Sequence, residues 1–498
     1  MRRRTSVMTV NWQLLAPVIV YLVCIYVLTC RCSADIRSGR SFLDEYFIGG
    51  RSMGGFVLAM TLVATYTSAS SFIGGPGVAY KTGLGWVLLA VTQVPTAWLT
   101  LGVLGKKFAI IARRINAITI NDFLRERYRC KAVVILASVS LLLFFLSAMT
   151  AQFIGGARLF ESITGLPYLW GLAIFAGSVI LYTTAGGFRA VVLTDALQGV
   201  VMVLGTVAMI TGIVRVSGSM NAVMDTIAAA NPALLTPFGP DGFIAKPFIL
   251  SFWILVCFGT VGLPHTAVRC MGYRDSRSMH SAVVIGTFVV SFIMLGMHFC
   301  GAVGSAILPG LDVPDTIMPK LAIAVLPPLA AGIFLAGPLA GVMSTIDSQL
   351  IQMASTLVKD LYLNYVNPSA ARSEKGVEGI KSMSRWTTAL LGVIVFLAAV
   401  RPPSLIVWLN LFAFGGMEAA FLWPLVLGLY WKRANAAGAV ASIAAGVGAY
   451  FAMGASIKNF YGMNVIVPSL LIALAVFVVV SLLTPPPAED VLQTFWGE

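Results

Sequence analysis

Charge is what this sequence has least of: Asp, Glu, Lys and Arg make up 11% of its 498 residues, where a soluble domain carries roughly 25%. Too few polar groups remain to cover a water-facing surface, and no polar stretch is long enough to form a soluble domain of its own. Cysteine gives no framework either. There are seven, an odd number, and none forms a CxxC pair. Cys24, Cys257 and Cys300 fall inside apolar runs, where cysteine is usually a small packing residue, while Cys30 and Cys32 lie at a membrane edge. Neither disulfides nor a metal centre is expected. Histidine numbers three; His265 and His298 are far apart in sequence, which favours packing or gating over a proton relay. No nucleophile–base pair, phosphate-binding glycine loop or metal-ligand cluster stands out, so an enzyme is not expected.

What is present in quantity is apolar sequence, at 58% of residues. A helix needs about 20 apolar residues to cross a bilayer core of roughly 30 Å, and runs of that length recur from end to end. Backbone polar groups in lipid must be satisfied internally, and long runs without two-residue alternation select helices over a barrel. The pattern predicts an all-α polytopic membrane protein, a single transmembrane domain over residues 1–498. Its thirteen spans are expected near 12–30, 55–80 (interrupted), 85–105, 133–155, 168–184, 192–214, 248–268, 282–308, 328–356, 386–400, 405–430, 437–453 and 465–483.

The formal net charge of +13 invites a nucleic-acid partner, but cytoplasmic loops of membrane proteins collect Lys and Arg for a different reason. Twenty-three of the 33 basic residues fall in the alternate loops that include 106–131. Positive-inside logic therefore places the N-terminus outside and the C-terminus in the cytoplasm. Arg2, Arg3 and Arg4 conflict with this orientation; either they flip the first span, or synthesis starts at Met8, the preferred reading. The first span lacks a small-residue cleavage site and is expected to remain as a helix.

An odd count of thirteen fits a five-plus-five inverted repeat, about 52–214 and 247–431, with extra helices near 12–30, 437–453 and 465–483. The second span is expected to break at Gly74-Gly75-Pro76-Gly77, after a Ser/Thr-rich stretch. The seventh is expected to break between Gly259 and Pro264. Paired Gly/Pro interruptions at matching places in two halves point to a transporter site at the membrane midplane.

Only Asp195, Asp347 and Glu418 place acids clearly within spans, and a buried membrane charge is a functional candidate by default. Asp195 opens the sixth span, where it caps a helix end, pairs with Arg189, or serves transport. Glu418 follows a glycine pair and either lines the cavity or pairs with a neighbouring helix. Asp347 follows Ser344-Thr345 by half a turn and faces another side. Sodium, a hard cation, wants oxygen ligands, which unwound carbonyls and hydroxyls supply without a full opposing charge. Ser344 and Thr345 of the ninth span, facing the broken second span, provide such a set.

At these residues the chain resembles the sodium/solute symporter family along essentially its full length. The run from Tyr182 to Ala190 (YTTAGGFRA) is similar to one family pattern, and Gly428 to Arg433 (GLYWKR), followed by Gly438-Ala439, to a second. The resemblance implies the inverted-repeat, LeuT-like fold and a sodium-coupled transporter without other cofactor. It implies sodium ligands at the carbonyls of Ala64, Thr67 and Gly341 and the hydroxyls of Ser344 and Thr345. Asp195 matches an acidic residue on the sodium exit path. Ser70 and Ser71 match substrate contacts of sugar-transporting relatives, with Tyr66 and Thr260 beside them. A proline-transporting relative has an aromatic residue where this chain has Thr260, which argues against proline.

Longer stretches, among them Glu45 to Gly55, Ser68 to Gly77 and Gly262 to Cys270, are similar to the branch that carries pantothenate. They imply uptake of that anion by alternating access in a bacterial inner membrane, with no obligate protein partner. Another small solute (a carboxylate, sugar or amino acid) is the near rival, and a passive channel or a membrane sensor the remote ones.

Overall fold

The computed structural model describes residues 12–38, 53–370, 374–402, 406–457 and 460–497, with side chains left undescribed at 32–38, 186–190 and 374–375. Among them no strand occurs, only two isolated bridges, and helices follow one another along the chain. Among the described residues eleven helices are long and apolar enough to cross a membrane, and two bent pairs bring the count to as many as thirteen.

The elements that position the site are α1 (Trp12–Ser38), α2 (Gly55–Tyr66), α3 (Gly75–Thr82), α4 (Ile120–Tyr128), α5 (Lys131–Thr164), α6 (Tyr168–Ser217) and α7 (Lys246–Trp253). They continue with α8 (Ser276–Ile307), α9 (Ile317–Val325), α10 (Pro328–Ser355), α11 (Glu374–Ala399), α12 (Val407–Tyr430), α13 (Ala436–Ser456) and α14 (Ile466–Leu483).

Burial separates the centre of the bundle from its rim. The most apolar window of α10 is 83% buried and that of α12 is 78%, against 28% for α1 and 33% for α13. In lipid an apolar side chain costs nothing when exposed, so burial here marks helix–helix packing rather than hydrophobicity. α10 packs against α6, α1 and α5. Small residues make this approach possible: a Cβ at Gly332 would lie 2.3 Å from the Leu14 carbonyl oxygen of α1.

Two departures from the sequence expectation have physical reasons. The fifth and sixth spans are not separated by a loop in the backbone, since helix runs through from Tyr168 to Ser217 and holds the apolar segments Tyr168–Ala185 and Val191–Ser217. No proline interrupts it, and the glycines between the two segments tolerate helix at modest cost.

The second span breaks earlier than its Gly/Pro cluster. α2 ends at Tyr66, Thr67 is extended (φ −76°, ψ 117°), a π turn covers Ser70–Gly74, and α3 begins at Gly75 with Pro76 in its first turn. The two halves meet at 65°. Proline is tolerated at a helix start because its missing N–H has no intrahelical partner there. The glycines serve close approach instead. A Cβ at Gly74 would lie 3.1 Å from the Val407 nitrogen, one at Gly75 would lie 2.2 Å from His298 Nε2, and one at Gly77 would lie 2.6 Å from Asp315 Oδ1.

The seventh span bends by 51° where expected. After α7 come a π turn (Ile254–Phe258), a 3₁₀ turn (Gly259–Gly262) and the extended Leu263 (φ −81°, ψ 116°), and Pro264 opens a short helix.

Candidate functional site

A helix that stops in a membrane must find other partners for its last carbonyls. At the end of α2 the N–H groups that would have bonded back are redirected. Ser68 donates its N–H to Ser71 Oγ (3.2 Å) and Ala69 donates to Gln152 Oε1 of α5 (2.7 Å). Ser71 N–H goes to the Ser68 carbonyl (2.9 Å). The carbonyls of Ala64 and Thr67 are thereby released from helical bonding and face α10. There Ser344 Oγ donates to the Ala64 oxygen (2.7 Å) and Thr345 Oγ1 approaches the Thr67 oxygen (3.4 Å). Both hydroxyls also lie 3.0 Å from the Gly341 carbonyl.

The five oxygens that the family resemblance implies thus lie together at one fully buried spot: three carbonyls and two hydroxyls. Such a set suits a hard, weakly charged cation, because its dipoles replace a hydration shell without a fixed opposing charge. Close packing lets the helices meet there. A Cβ at Gly341 would lie 3.2 Å from the methyl carbon of Met202 and 3.3 Å from the Phe72 ring.

Beside the break a cavity opens, lined by Tyr66, Ser68, Ser70 and Ser71 of the second span, Gln93 of the third and Val256 of the seventh. His298 of α8 and Asn410 and Phe414 of α12 complete its polar and aromatic walls. Its hydrogen-bonding sense follows from the groups behind it. Gln152 Oε1 is held as acceptor by Ala69 N–H, so its Nε2 donates to Asn410 Oδ1 (3.2 Å), which leaves the Asn410 N–H₂ group as a donor. Tyr66 OH donates to the Val256 carbonyl (2.7 Å), in the π turn of the seventh span, and so ties the two broken spans together. No Lys or Arg lines the cavity among the described residues.

Of the four expected substrate residues, Tyr66, Ser70 and Ser71 line this cavity. Thr260 does not. Its hydroxyl is turned onto the Cys257 carbonyl (2.5 Å) and its own carbonyl accepts from Thr266 Oγ1 (3.1 Å), which holds the 3₁₀ turn together.

Asp195 is neither interfacial nor a helix cap. It is fully buried and paired with the equally buried Arg269 (2.8 Å), and its Oδ2 also accepts from Thr61 Oγ1 (2.6 Å). Arg269 further donates to the His265 carbonyl (2.8 Å) and to Ser348 Oγ (2.6 Å). Ser348 in turn donates to the Ser344 carbonyl (2.8 Å), so the ion pair is connected to the five-oxygen seat. Asp195 Oδ1 has no partner among the described residues. The side chain of Arg189 lies outside the described set.

Asp347 is bonded to α6 rather than to the five oxygens, accepting from Tyr182 OH and Thr183 Oγ1, both at 2.6 Å. Glu418 is buried against the backbone of Gly259, where a Cβ would lie 2.2 Å from Oε2. His265 packs between the rings of Phe145 and Phe414 (centroids 5.6 and 5.9 Å).

On the side rich in Lys and Arg, α4 is clamped to the continuation of α10. Thr119 Oγ1 and Asn121 Nδ2 donate to Asp360 (2.7 and 2.9 Å), and Lys359 pairs with Asp122. Burial pushes the Asp122 carboxyl up, but the adjacent Lys359 outweighs it and holds it below the usual carboxylate range.

Sequence reasoning missed Arg269, Gln152 and Asn410, and gave His298 a packing or gating role rather than a place in the cavity lining. A signal existed for the first: a buried acid needs a counter-charge, and Arg269 is the basic residue that directly follows the seventh span. For the others, one amide or imidazole in an apolar run does not announce which face it occupies.

The sequence pattern of the Sodium:solute symporter family matches residues 46–446. A sodium/pantothenate symporter of Escherichia coli (strain K12) is 53% identical over 484 residues, 97% of this chain and 99% of that protein. One from Haemophilus influenzae is 52% identical over 470 residues, 94% of this chain and 96% of that protein. A sodium/proline symporter of Staphylococcus aureus is 30% identical over 496 residues, 97% of this chain and 94% of that protein. Among solved structures, a Na⁺-coupled sialic acid symporter in a substrate-bound outward-open state superposes with a TM-score of 0.76 at 20% identity, covering 96% of this chain and 99% of that one.

Proposed function

The chain belongs to the sodium:solute symporter family, and on that premise we propose that it takes up pantothenate with sodium by alternating access. It is a multi-pass membrane transporter and not an enzyme. In the proposed setting it lies in a bacterial inner membrane with its N-terminus outside and its C-terminus in the cytoplasm, and residues 52–214 and 247–431 form the two inverted repeats. The observation that carries the coupling is the convergence of Ala64, Thr67, Gly341, Ser344 and Thr345 at the break of the second span. We assign the sodium ion to that seat.

Pantothenate suits the adjoining cavity. It is a small anion with one amide and two hydroxyls, and Ser70, Ser71, Tyr66 and Asn410 offer small polar groups to it. Thr260 is left out of this set because its hydroxyl is engaged within the broken span. With no basic side chain in the lining among the described residues, the carboxylate is held by amide and hydroxyl donors, by backbone N–H groups at a helix start, or by the sodium ion itself. One sodium moving with one such anion carries no net charge. A potential of 100 mV, which acts with about 2.3 kcal/mol on an unaccompanied charge, then neither drives nor opposes transport.

In the proposed cycle sodium binds from outside and steadies the break, which completes the cavity. After the bundle rocks, sodium leaves past Asp195, whose Oδ1 has no hydrogen-bond partner among the described residues. Coupling is reciprocal: sodium tightens pantothenate binding by the factor by which pantothenate tightens sodium binding. Uptake of labelled pantothenate into proteoliposomes, with and without an inward sodium gradient, tests the reading. Accumulation only with the gradient, uncompeted by proline, is expected. Accumulation of another solute in preference would refute the substrate, and sodium-independent, non-accumulating flux would refute the symport.

A further inference from the structure

We propose that His298 is a specificity-determining residue of the cavity, whose Nε2 accepts a hydrogen bond from a hydroxyl or amide N–H of the substrate. The inference rests on the pantothenate reading above and adds to it an acceptor on the wall opposite in sequence to the serines. Three observations converge. The imidazole sits on α8 in the lining of the cavity, although only 4% of the residue is exposed. Its Nδ1 lies 2.6 Å from the Met294 carbonyl of the preceding helical turn. A carbonyl only accepts, so Nδ1 carries the proton, and a neutral ring then presents a lone pair at Nε2. No carboxylate lines the cavity among the described residues to hold a second proton on the ring.

The third observation is the space made for this atom. A Cβ at Gly75 would stand 2.2 Å from Nε2 and 2.7 Å from the Ser70 carbonyl oxygen. Only glycine lets the resumed helix of the second span approach Nε2 so closely, with the Ser70 backbone beside it. The cavity thus has opposite senses on different walls: Asn410 of α12 offers N–H donors, and His298 offers an acceptor. An anion with its own hydroxyl and amide donors needs both. A site that hydrogen-bonds a substrate donor also discriminates strongly against analogues lacking it, because the buried acceptor is then left unpaired.

The test is pantothenate transport by the full-length chain in proteoliposomes at saturating sodium, comparing wild type, His298→Ala, His298→Gln and Gly75→Ala. His298→Ala is expected to raise the KM for pantothenate about tenfold, in line with loss of one buried hydrogen bond, with the sodium half-saturation within twofold of wild type. His298→Gln, whose Oε1 is again an acceptor, should recover most of the loss. Gly75→Ala, which displaces Nε2, should resemble His298→Ala. A pantothenate analogue with its hydroxyls replaced by hydrogen, or with its amide nitrogen methylated, should lose affinity for wild type but little further for His298→Ala.

An unchanged KM in His298→Ala would overturn the proposal. So would a fall in maximal rate alone, or a glutamine variant no better than alanine, since each marks a merely structural imidazole. If wild type itself fails to exchange pantothenate in counter-flow, the substrate reading fails and takes the proposal with it. If wild type exchanges and the variants match it, only the proposal fails.

Discussion

The proposed ion seat takes Ala64, Thr67 and Gly341 by their carbonyls and only Ser344 and Thr345 by their side chains, whereas the cavity beside it is walled by side chains from five spans. A seat made of backbone depends on where a helix stops, not on which residues stand there. A cavity made of side chains depends on each of them. The same family holds relatives named for pantothenate and for proline, and this division of labour is one way a common ion can serve different solutes. It also predicts that variants in the two regions shift different binding curves.

The largest effect is expected beneath both. Arg269→Ala leaves Asp195 buried without its counter-charge, and breaking a buried pair typically costs about 3–5 kcal/mol. Thermal unfolding in detergent should show a marked drop, and the Arg269→Ala/Asp195→Asn double variant should regain much of it. Equal stability of Arg269→Ala and wild type would mean that the pair does not hold the seat in place.

Next comes Ser344→Ala. Loss of one buried ligand oxygen should raise the sodium half-saturation roughly tenfold or more, with much less change in the pantothenate KM at saturating sodium. Ser70→Ala should do the converse and raise the pantothenate KM about three- to tenfold. Its hydroxyl has no partner among the described residues. Ser71→Ala sharpens the comparison because it should move both curves. Its hydroxyl accepts the Ser68 N–H that would otherwise bond back to the Ala64 carbonyl. A Ser71→Ala variant with normal sodium dependence would show that this redirection is not what opens the seat.

The smallest effect is one of pH. Asp315, in the turn before α9, is buried against Gly77 and accepts the Ile406 N–H through Oδ2 (3.1 Å). Burial pushes its carboxyl up from 3.8 to about 7. The fold therefore favours the neutral acid. That contribution is full below the ordinary value and is lost as pH rises through about 7. Thermal stability should fall by a few degrees between about pH 5 and pH 8, and Asp315→Asn should flatten that dependence.

Much of the fold was legible because it depends on long apolar runs, which a bilayer requires whatever packs inside. Of the proposed ion seat, the broken span and the Ser344-Thr345 pair were legible because both are local in sequence, while the carbonyls of Ala64, Thr67 and Gly341 followed only from the family resemblance. The exact break was not legible. Gly74 to Gly77 looked like the interruption, but these glycines make room for Val407, His298 and Asp315, while the helix stops at Thr67 because side chains of Ser71 and Gln152 capture its N–H groups. Gln152 lies 83 positions from Ala69, and no local pattern reports such a partner. The cavity was the least legible for the same reason. Asn410 gains its donor role only through Gln152, and Thr260 loses its place in the lining through a bond within its own turn.

The most direct test is a side-by-side titration of labelled pantothenate uptake by wild type, Ser344→Ala and Ser70→Ala in proteoliposomes, each solute varied with the other saturating. A seat and a cavity that are coupled but separately built predict that Ser344→Ala shifts the sodium curve and Ser70→Ala the pantothenate curve. Accumulation without sodium in wild type, or one common shift in both variants, would contradict it.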